Sequence, residues 1–261
     1  MPTEDFITEL FYRIDEVLND VPKHSQAKLY PSEVVTIAIV FAIKGGQGRP
    51  FYRWLSRNWR GLFPKLPHRT RLFKLFVTHQ HLTDRFMADP TILGVIDSYG
   101  IELIHPIREG RSEKQIGRKG LSNKRWIVGG KLCLLLNKFG LVVDWDFGTA
   151  NQYDADFQPL IEKVVDEMIV LADTHFHAAT GDPANLKICP RGTWNDRMVI
   201  ETVLSMLTTV SHFKKVFHRT WKHFQARLAF TMAAFNILAQ WHGLEPDDNG
   251  FVPLSIAQFS L

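Results

Sequence analysis

Residues 91–104 read TILGVIDSYGIELI, and at this stretch the periodicity of the sequence changes from helical to extended. The run is rich in strand-forming residues and is interrupted at Gly100, so it predicts a strand that ends near Asp97. Two further extended runs follow, RWIVGGKLCLLLN at 125–137 and LVVDWDFG at 141–148, and the turn sequence NKFG at 137–140 joins them. Together the three runs predict an antiparallel meander.

The sequence after the meander predicts a crossover connection. A helical pattern covers about 156–165, and the strand-like runs MIVLAD at 168–173 and LKICP at 186–190 follow it. A strand that comes after a helix rejoins its sheet by a crossover, so we predict the α/β class with a mixed five-stranded sheet. Apolar helical patterns at 194–208 and 221–241 predict helices that flank this sheet.

The sequence before residue 91 is helical in character. Apolar residues recur at helical spacing in 3–19, 30–44 and 51–59, and a fourth helix is expected after the prolines at 64 and 67. We therefore predict a domain boundary near Pro90. The expected parts are an all-helical N-terminal region (1–90), an α/β domain (91–243) and a C-terminal tail (244–261).

The composition is that of an ordinary globular protein, but the positive charge is unevenly distributed. The chain is 45% hydrophobic and 22% charged, with a net charge of +4. Residues 49–86 hold nine Lys or Arg against Asp84 alone, and residues 108–131 hold eight against two glutamates. Such a concentration of basic residues is typical of a protein that binds a polyanion.

Cysteine usage and the apolar runs bear on the compartment. Cys133 and Cys189 stand in strand-like runs without a paired spacing, which favours a reducing environment. The segment MPTEDF is acidic where a signal peptide is basic, and the longest apolar run, at 34–43, is too short to span a bilayer. We expect a cytoplasmic protein without a membrane partner.

Two aspartates are placed where strands are predicted to end. Asp97 follows the apolar residues of the first strand, and Asp173 follows MIVLA at 168–172. Burying a carboxylate at such a place costs free energy unless the group is hydrogen-bonded, paired or bound to a metal. Each aspartate alone has a simple alternative as a turn or capping residue. Two of them at strand ends of one sheet indicate a shared site.

A third carboxylate, Glu201, lies within the helical pattern WNDRMVIETVLSMLT at 194–208. One face of this helix is apolar, and the other carries Trp194, Arg197, Glu201, Ser205 and Thr208. Glu201 has a structural alternative, because it can form an i, i+4 ion pair with Arg197. Three carboxylates brought together can hold two divalent ions about 3.5–4 Å apart, which activate an attacking hydroxyl and stabilise a leaving oxygen.

The histidines offer a different metal site. His175 and His177 form an HxH pair close in sequence to Asp173 and Cys189, and these are residue types that bind zinc. No second ligand pair accompanies them. His175 is equally explained as a residue that faces the same cleft as Asp173.

In the order and context of the three carboxylates, residues 90–243 resemble a DDE transposase of a bacterial insertion sequence. In that family the first Asp ends the first strand, the second ends the fourth strand, and the Glu lies on a later helix. Asp97, Asp173 and Glu201 hold these places in that order. Many members carry the signature Tyr, two residues, Arg, three residues, Glu, six residues, Lys. Here the signature positions are Trp194, Arg197, Glu201 and Thr208, so only Arg and Glu match.

The resemblance implies an RNase H-like catalytic domain behind a helical region that binds DNA or oligomerises. It implies cleavage of double-stranded DNA at transposon ends and transfer into a target, with two Mg²⁺ or Mn²⁺ ions on Asp97, Asp173 and Glu201. A homodimer in the DNA complex is also implied. By the same analogy, Arg197 holds a DNA phosphate and Trp194 contacts DNA near the reacting end. The alternatives are a nuclease of this fold without strand transfer and an inactive DNA-binding descendant.

The two basic segments are expected to contact the DNA backbone. The Gly-rich part of residues 108–131 is predicted as a loop beside the Asp97 strand, where its basic residues would neutralise phosphates. In 51–60 basic and aromatic residues alternate, although the aromatic ones are equally explained as core. A solvated face is the structural alternative for both segments. The candidate DNA-binding side chains are Arg53, Arg57, Arg69, Arg71, Arg118, Lys119, Lys124 and Arg125.

Overall fold

The computed structural model describes residues 2–113, 115–122, 124–189, 197–212, 216, 218–245, 254–256 and 259, with only the backbone at 197–199. The α-helices of this part of the chain are α1 (Thr3–Leu18), α2 (Pro31–Lys44), α3 (Gly48–Asn58), α4 (Arg69–His79), α5 (Gln158–Glu162), α6 (Arg197–Thr209) and α7 (Trp221–His242). The strands are β1 (Leu93–Ile104), β2 (Arg118–Ser122), β3 (Arg125–Asn137), β4 (Val142–Thr149), β5 (Ile169–Ala172) and β6 (Leu186–Ile188).

The strands form one mixed sheet of six, so the predicted α/β class is confirmed and the predicted count of five is wrong by one. The order across the sheet is β4-β3-β1-β5-β6. The additional strand, β2, pairs with residues 125–129 of β3, whereas β4 pairs with residues 130–136. Strand β3 is antiparallel to β1, β2 and β4, while β5 is parallel to both β1 and β6. The meander and the crossover strands are both present as predicted.

Strand β1 corrects the prediction for Asp97. It runs without interruption through Gly100, and Asp97 lies inside it, paired with Leu134 of β3. A glycine is needed at position 100 because a Cβ there would collide with the side chains of Ser122 and Ile127 from the neighbouring hairpin. Gly100 is therefore a site of close approach within the sheet, not a strand breaker.

The two faces of the sheet bury two separate hydrophobic cores. Alternate residues of a strand point to opposite faces, so Val95 and Ile101 of β1 join the larger core and Ile96 joins the smaller one. The larger core includes residues of α6, α7 and the N-terminal helices. The smaller core lies under α5 and contains Phe157, Val170 and Phe176.

The predicted boundary near Pro90 does not separate two cores. Helix α2 is buried on nearly all sides between α1, α4 and α7, and its residues share the larger core with Val95 and Leu134 of the sheet. Asn236 of α7 connects the two regions directly. Its amide nitrogen donates to Phe86 O and its amide oxygen accepts from Val142 N, both at 2.9 Å.

A buried arginine ties together the helices of this layer. The guanidinium of Arg227 on α7 donates to the carbonyl oxygens of Phe41, Ala42 and Ser211, and the residue is 7% exposed. Two of these carbonyls lie at the C-terminal end of α2, where the helix itself leaves carbonyls without a full set of donors. Burial lowers the pKa of Arg227 to about 9.

Smaller differences from prediction occur at element ends. Helix α3 begins at Gly48, three residues before the predicted start at residue 51, and α5 is only five residues long behind a short 3-10 helix, Asp154–Phe157. In the predicted tail, Ile256 and Phe259 are buried, and the ring of Phe259 lies 5.0 Å from that of Trp241. Among the described residues, no helix combines the length and apolar character needed to cross a bilayer.

Candidate active site

The first predicted carboxylate, Asp97, is held in the interior of the sheet. It is half-buried, and its Oδ1 accepts a hydrogen bond of 2.7 Å from the backbone N–H of Ser98. Asp97 lies two residues after Val95 and four before Ile101, so it points to the face that carries the larger core. A polar residue on this face at mid-strand interrupts an otherwise apolar surface.

The second predicted carboxylate, Asp173, follows β5 directly, as the sequence predicted. Its backbone remains extended, and its side chain caps a short 3-10 helix by accepting from the N–H of His175 at 2.9 Å. The other carboxylate oxygen lies 3.0 Å from Nδ1 of His175. The hydrogen bond and charge of Asp173 raise the pKa of His175, and the charges of Asp154 and Asp97 raise it further.

The sheet register points the two aspartates toward the same region. The parallel β1–β5 pairing runs as far as Val95 opposite Leu171, and the same register extended by two residues would put Asp97 opposite Asp173. Residues two positions apart on a strand project to the same face. The charges of both aspartates act on His175, so Asp97 and Asp173 lie near one histidine.

The third predicted carboxylate, Glu201, lies on α6, which packs against β1. Ile200, Val203 and Leu207 enter the larger core, and Glu201 is exposed beside them. The helix therefore lies over the face to which Asp97 points. Even so, no group of three or more His, Cys, Asp or Glu side chains close enough to hold a metal ion occurs in the described part of the chain. The described side chains do not assemble a three-carboxylate site.

The signature residues around Glu201 are only partly visible. Trp194 and the side chain of Arg197 lie outside the described residues, whereas the backbone of Arg197 begins α6. Thr208 stands where the family signature has Lys. Its hydroxyl donates to the carbonyls of Leu204 and Ser205 at 2.7 and 2.9 Å, so it is bonded to its own helix.

A second polar cluster, which the sequence analysis missed, lies on the opposite face of the sheet. Oδ1 of Asp154 accepts from Lys131 Nζ at 2.9 Å and from Ser98 Oγ at 2.6 Å. The Lys131 and Asp154 side chains are 13% and 18% exposed, so this ion pair is shielded from solvent. Lys131 is the one charged residue inside the apolar run 127–136, and that isolation is a sequence signal for a buried partner.

The residues considered as zinc ligands do not form a common binding site. His175 is engaged with Asp173, while Nδ1 of His177 lies 2.8 Å from Oδ2 of Asp182. The thiol of Cys189 contacts the carbonyl of Lys187 at 3.7 Å. These side chains form separate local contacts, and the metal-binding group that zinc requires is not found among the described residues.

Part of the predicted basic loop near the site is a strand. Arg118 and Lys119 lie on β2, which forms a hairpin with β3, so the prediction of a loop is wrong for residues 118–122, whereas Arg125 begins β3 as predicted. The cause is pairing with β3, which a short Gly-containing basic segment does not reveal by itself. Lys119 lies 3.7 Å from Glu109 and Arg125 lies 3.0 Å from Glu102, both exposed pairs that contribute little to stability. Arg118 and Lys124 are also exposed.

The other predicted basic residues lie on the helical layer. Arg53 and Arg57 are exposed on α3, Arg71 is exposed on α4, and Arg69 at the start of α4 is half-buried. Phe51 and Leu55, which alternate with them in sequence, are buried in the larger core. In this segment the apolar residues are structural, and the basic side chains form the surface.

No protein-family model matches the chain, and a comparison with curated proteins finds no similar sequence.

Proposed function

We propose that the protein is a DDE transposase with an RNase H-like catalytic domain, which cleaves DNA at transposon ends and joins them to a target. The observation that carries the proposal is the parallel pairing of β1 and β5, whose register, extended two residues past Val95 and Leu171, would bring Asp97 opposite Asp173. Two adjacent carboxylates at a parallel strand pair have no structural necessity, because their repulsion costs free energy.

Two further features support the proposal. The strand order β4-β3-β1-β5-β6, with an antiparallel meander followed by two parallel strands, is an arrangement compatible with an RNase H-like sheet. Helix α6, which carries Glu201, follows the second aspartate in the chain and packs against β1 over the larger core, an order that agrees with the resemblance. The third carboxylate needs a side-chain or helix adjustment to reach the aspartates.

The donor set fits Mg²⁺ or Mn²⁺. Both ions favour oxygen ligands, and Mg²⁺ is usually held by one or two carboxylates together with substrate phosphates. Asp97 and Asp173 would supply the protein ligands, with Glu201 as the third. Two ions bound there would activate an attacking hydroxyl and stabilise the leaving oxygen.

The chain itself contributes position and charge. Asp97 is fixed by the strand on which it lies, and Asp173 is fixed by the 3-10 turn that it caps. In the proposed reaction water attacks a phosphodiester phosphorus, the P–O3′ bond breaks, and the 3′ oxygen gains a proton. The new 3′-hydroxyl then attacks a target phosphodiester: its oxygen bonds to the target phosphorus, the target P–O3′ bond breaks, and the proton of the attacking hydroxyl is balanced by protonation of the released target 3′ oxygen. The exposed basic residues of α3, α4 and the β2–β3 hairpin neutralise the DNA backbone. The protein acts on DNA as a homodimer.

The test uses a plasmid that carries the gene with its own flanking DNA. We expect strand cleavage in Mg²⁺ or Mn²⁺, and we expect Asp97→Asn or Asp173→Asn to reduce it about a hundredfold or more, since metal stabilisation is worth several kcal/mol. DNA binding in EDTA should be unchanged. Asp146→Asn is the matched control, because Asp146 is an exposed aspartate on β4 of the same sheet.

The outcomes distinguish a transposase from a nuclease and from an inactive DNA-binding protein. Cleavage by Asp97→Asn at the wild-type rate would remove the proposal. Cleavage by the wild-type protein without joining of a pre-cut end would identify a nuclease of this fold. DNA binding without any divalent-dependent cleavage would identify an inactive descendant.

A further inference from the structure

The tip of the β2–β3 hairpin exposes an apolar pair. Leu121 of β2 lies directly opposite Trp126 of β3, and the two residues are 56% and 57% exposed. Paired residues project to the same face, so both side chains stand on one side of the hairpin together with Lys119. Exposure of a tryptophan to this extent calls for an explanation, because aromatic side chains gain most when they are covered.

The opposite face of the hairpin is firmly docked. Ile127 is 1% exposed, and the backbone at Gly120 approaches the carbonyl of Ala150 so closely that no Cβ would fit between them. Arg125, on this docked face, bonds to Glu102 of β1. The exposed face is therefore a fixed surface of the sheet, and the hairpin cannot turn over to bury it.

Positive charge lies beside the exposed ring. The ammonium of Lys119 lies 5.3 Å from the Trp126 ring centroid, and Lys124 is exposed at the turn of the hairpin. Residues 108–126 hold seven Lys or Arg against Glu109 and Glu113. The complementary ligand is anionic and offers a flat π-face, a combination found in a nucleic-acid strand whose bases are unpaired.

We propose that this face, formed by Lys119, Leu121 and Trp126, binds single-stranded or locally unpaired DNA. Trp126 stacks on a base, Leu121 extends the apolar platform, and Lys119 and Lys124 hold the adjacent phosphates. This inference rests on the proposed function only because it takes DNA as the substrate. It adds that unpaired DNA binds at the hairpin, on a surface distinct from the carboxylates.

The test measures binding in EDTA, so that no cleavage occurs. The probes are a fluorescent single-stranded oligonucleotide, its perfect duplex, and the same duplex with a central unpaired bubble. We expect Trp126→Ala to weaken binding of the single strand and the bubble about tenfold, and to change duplex affinity less than about threefold. Trp126→Phe should restore most of the affinity. The control is Tyr12→Ala, which removes an aromatic ring that is 64% exposed on the acidic helix α1.

Several results would overturn the proposal. These are equal losses on single strand and duplex, a loss no larger than that of Tyr12→Ala, and a preference for RNA over the DNA strand of the same sequence. Conversion of a wild-type dimer to a monomer by Trp126→Ala, measured by sedimentation, would instead identify the face as an interface between copies. Because binding needs no metal, a single-strand preference without any cleavage activity would refute the proposed function and keep this inference.

Discussion

The buried polar groups of the helical layer and the aspartates of the central strands β1 and β5 are bonded in opposite ways. In the helical layer, the side chains of Arg227 and Asn236 are buried and donate hydrogen bonds to backbone carbonyl oxygens. On the central strand β1 and directly after β5, Asp97 and Asp173 are half-buried and accept hydrogen bonds from backbone N–H groups close to them in sequence. The first set of bonds joins distant segments, whereas the second set orients a carboxylate within its own segment.

The difference separates polar groups that maintain the fold from those available for chemistry. A buried donor that satisfies carbonyls from distant segments is costly to remove, because each orphaned carbonyl loses its partner without regaining water. A half-buried carboxylate bonded to its own neighbourhood can change with little effect on packing. We therefore expect substitutions of the buried polar groups in the helical layer to change stability strongly, and substitutions of the aspartates on the central strands to change it little.

Arg227→Met gives the largest stability effect that we expect. The methionine fills much of the volume but leaves the carbonyls of Phe41, Ala42 and Ser211 without this donor. We expect a loss of about 2–4 kcal/mol in the free energy of unfolding, measured by urea denaturation. Arg57→Met on the exposed surface of α3 is the control and should stay within about 0.5 kcal/mol. Equal losses in the free energy of unfolding for the two variants would contradict a special stabilising role of the buried arginine.

Asn236→Ala tests the connection between the helical layer and the sheet. The change removes the bonds to Phe86 and to both backbone groups of Val142. We expect a loss of about 2 kcal/mol, again from urea unfolding. Asn58→Ala, at an exposed position, should change stability by less than about 0.5 kcal/mol. A loss confined to one of two separate unfolding transitions would show that the two regions unfold independently.

The smallest expected effect concerns the pKa of His175, which tests the local hydrogen bonding of Asp173. Its pKa is raised, chiefly by its hydrogen bond to Asp173. A raised pKa in the folded state means that protonated His175 adds stability at pH below its ordinary value, near 6.5, and that this addition is lost as pH rises through the folded-state pKa. In an NMR titration, Asp173→Asn should return the pKa of His175 toward that ordinary value. An unchanged pKa would contradict the pairing, and His177, which contacts Asp182 instead, serves as the internal control.

The elements that the sequence predicts best are those with strong local patterns. Helix α2 ends at Lys44 as predicted and begins at Pro31, one residue after the predicted start. Strand β3 has the predicted bounds, since its long apolar run lies between a turn on either side. In both cases local preference and tertiary packing favour the same structure.

The errors arise where tertiary contacts override local preference. Gly100 was predicted to break a strand, but close approach of Ser122 and Ile127 requires a glycine there, and the strand continues. Strand β2 has almost no strand-forming residues and exists because β3 offers it a partner. The Lys131–Asp154 pair joins residues 23 positions apart, so its distance in sequence concealed it.

The sequence suggests candidate residues for the site but not their geometry. The two aspartates are predicted from their places after apolar runs, whereas the pairing of β1 with β5 is information that only the structure supplies. The position of Glu201 relative to them depends on how α6 packs, and a helical pattern carries no information on that distance. Spacing in sequence therefore indicates which residues to examine, and strand pairing decides which of them meet.

The mid-strand position of Asp97 also determines what can move. Strand β1 lies between β3 and β5, so its backbone amides are expected to exchange with solvent only when the centre of the sheet opens. Glu201 lies on an outer helix, which can shift by local opening at a smaller free energy. Under the proposed function, Asp97 would therefore be the fixed carboxylate, and α6 would be the element that moves toward it.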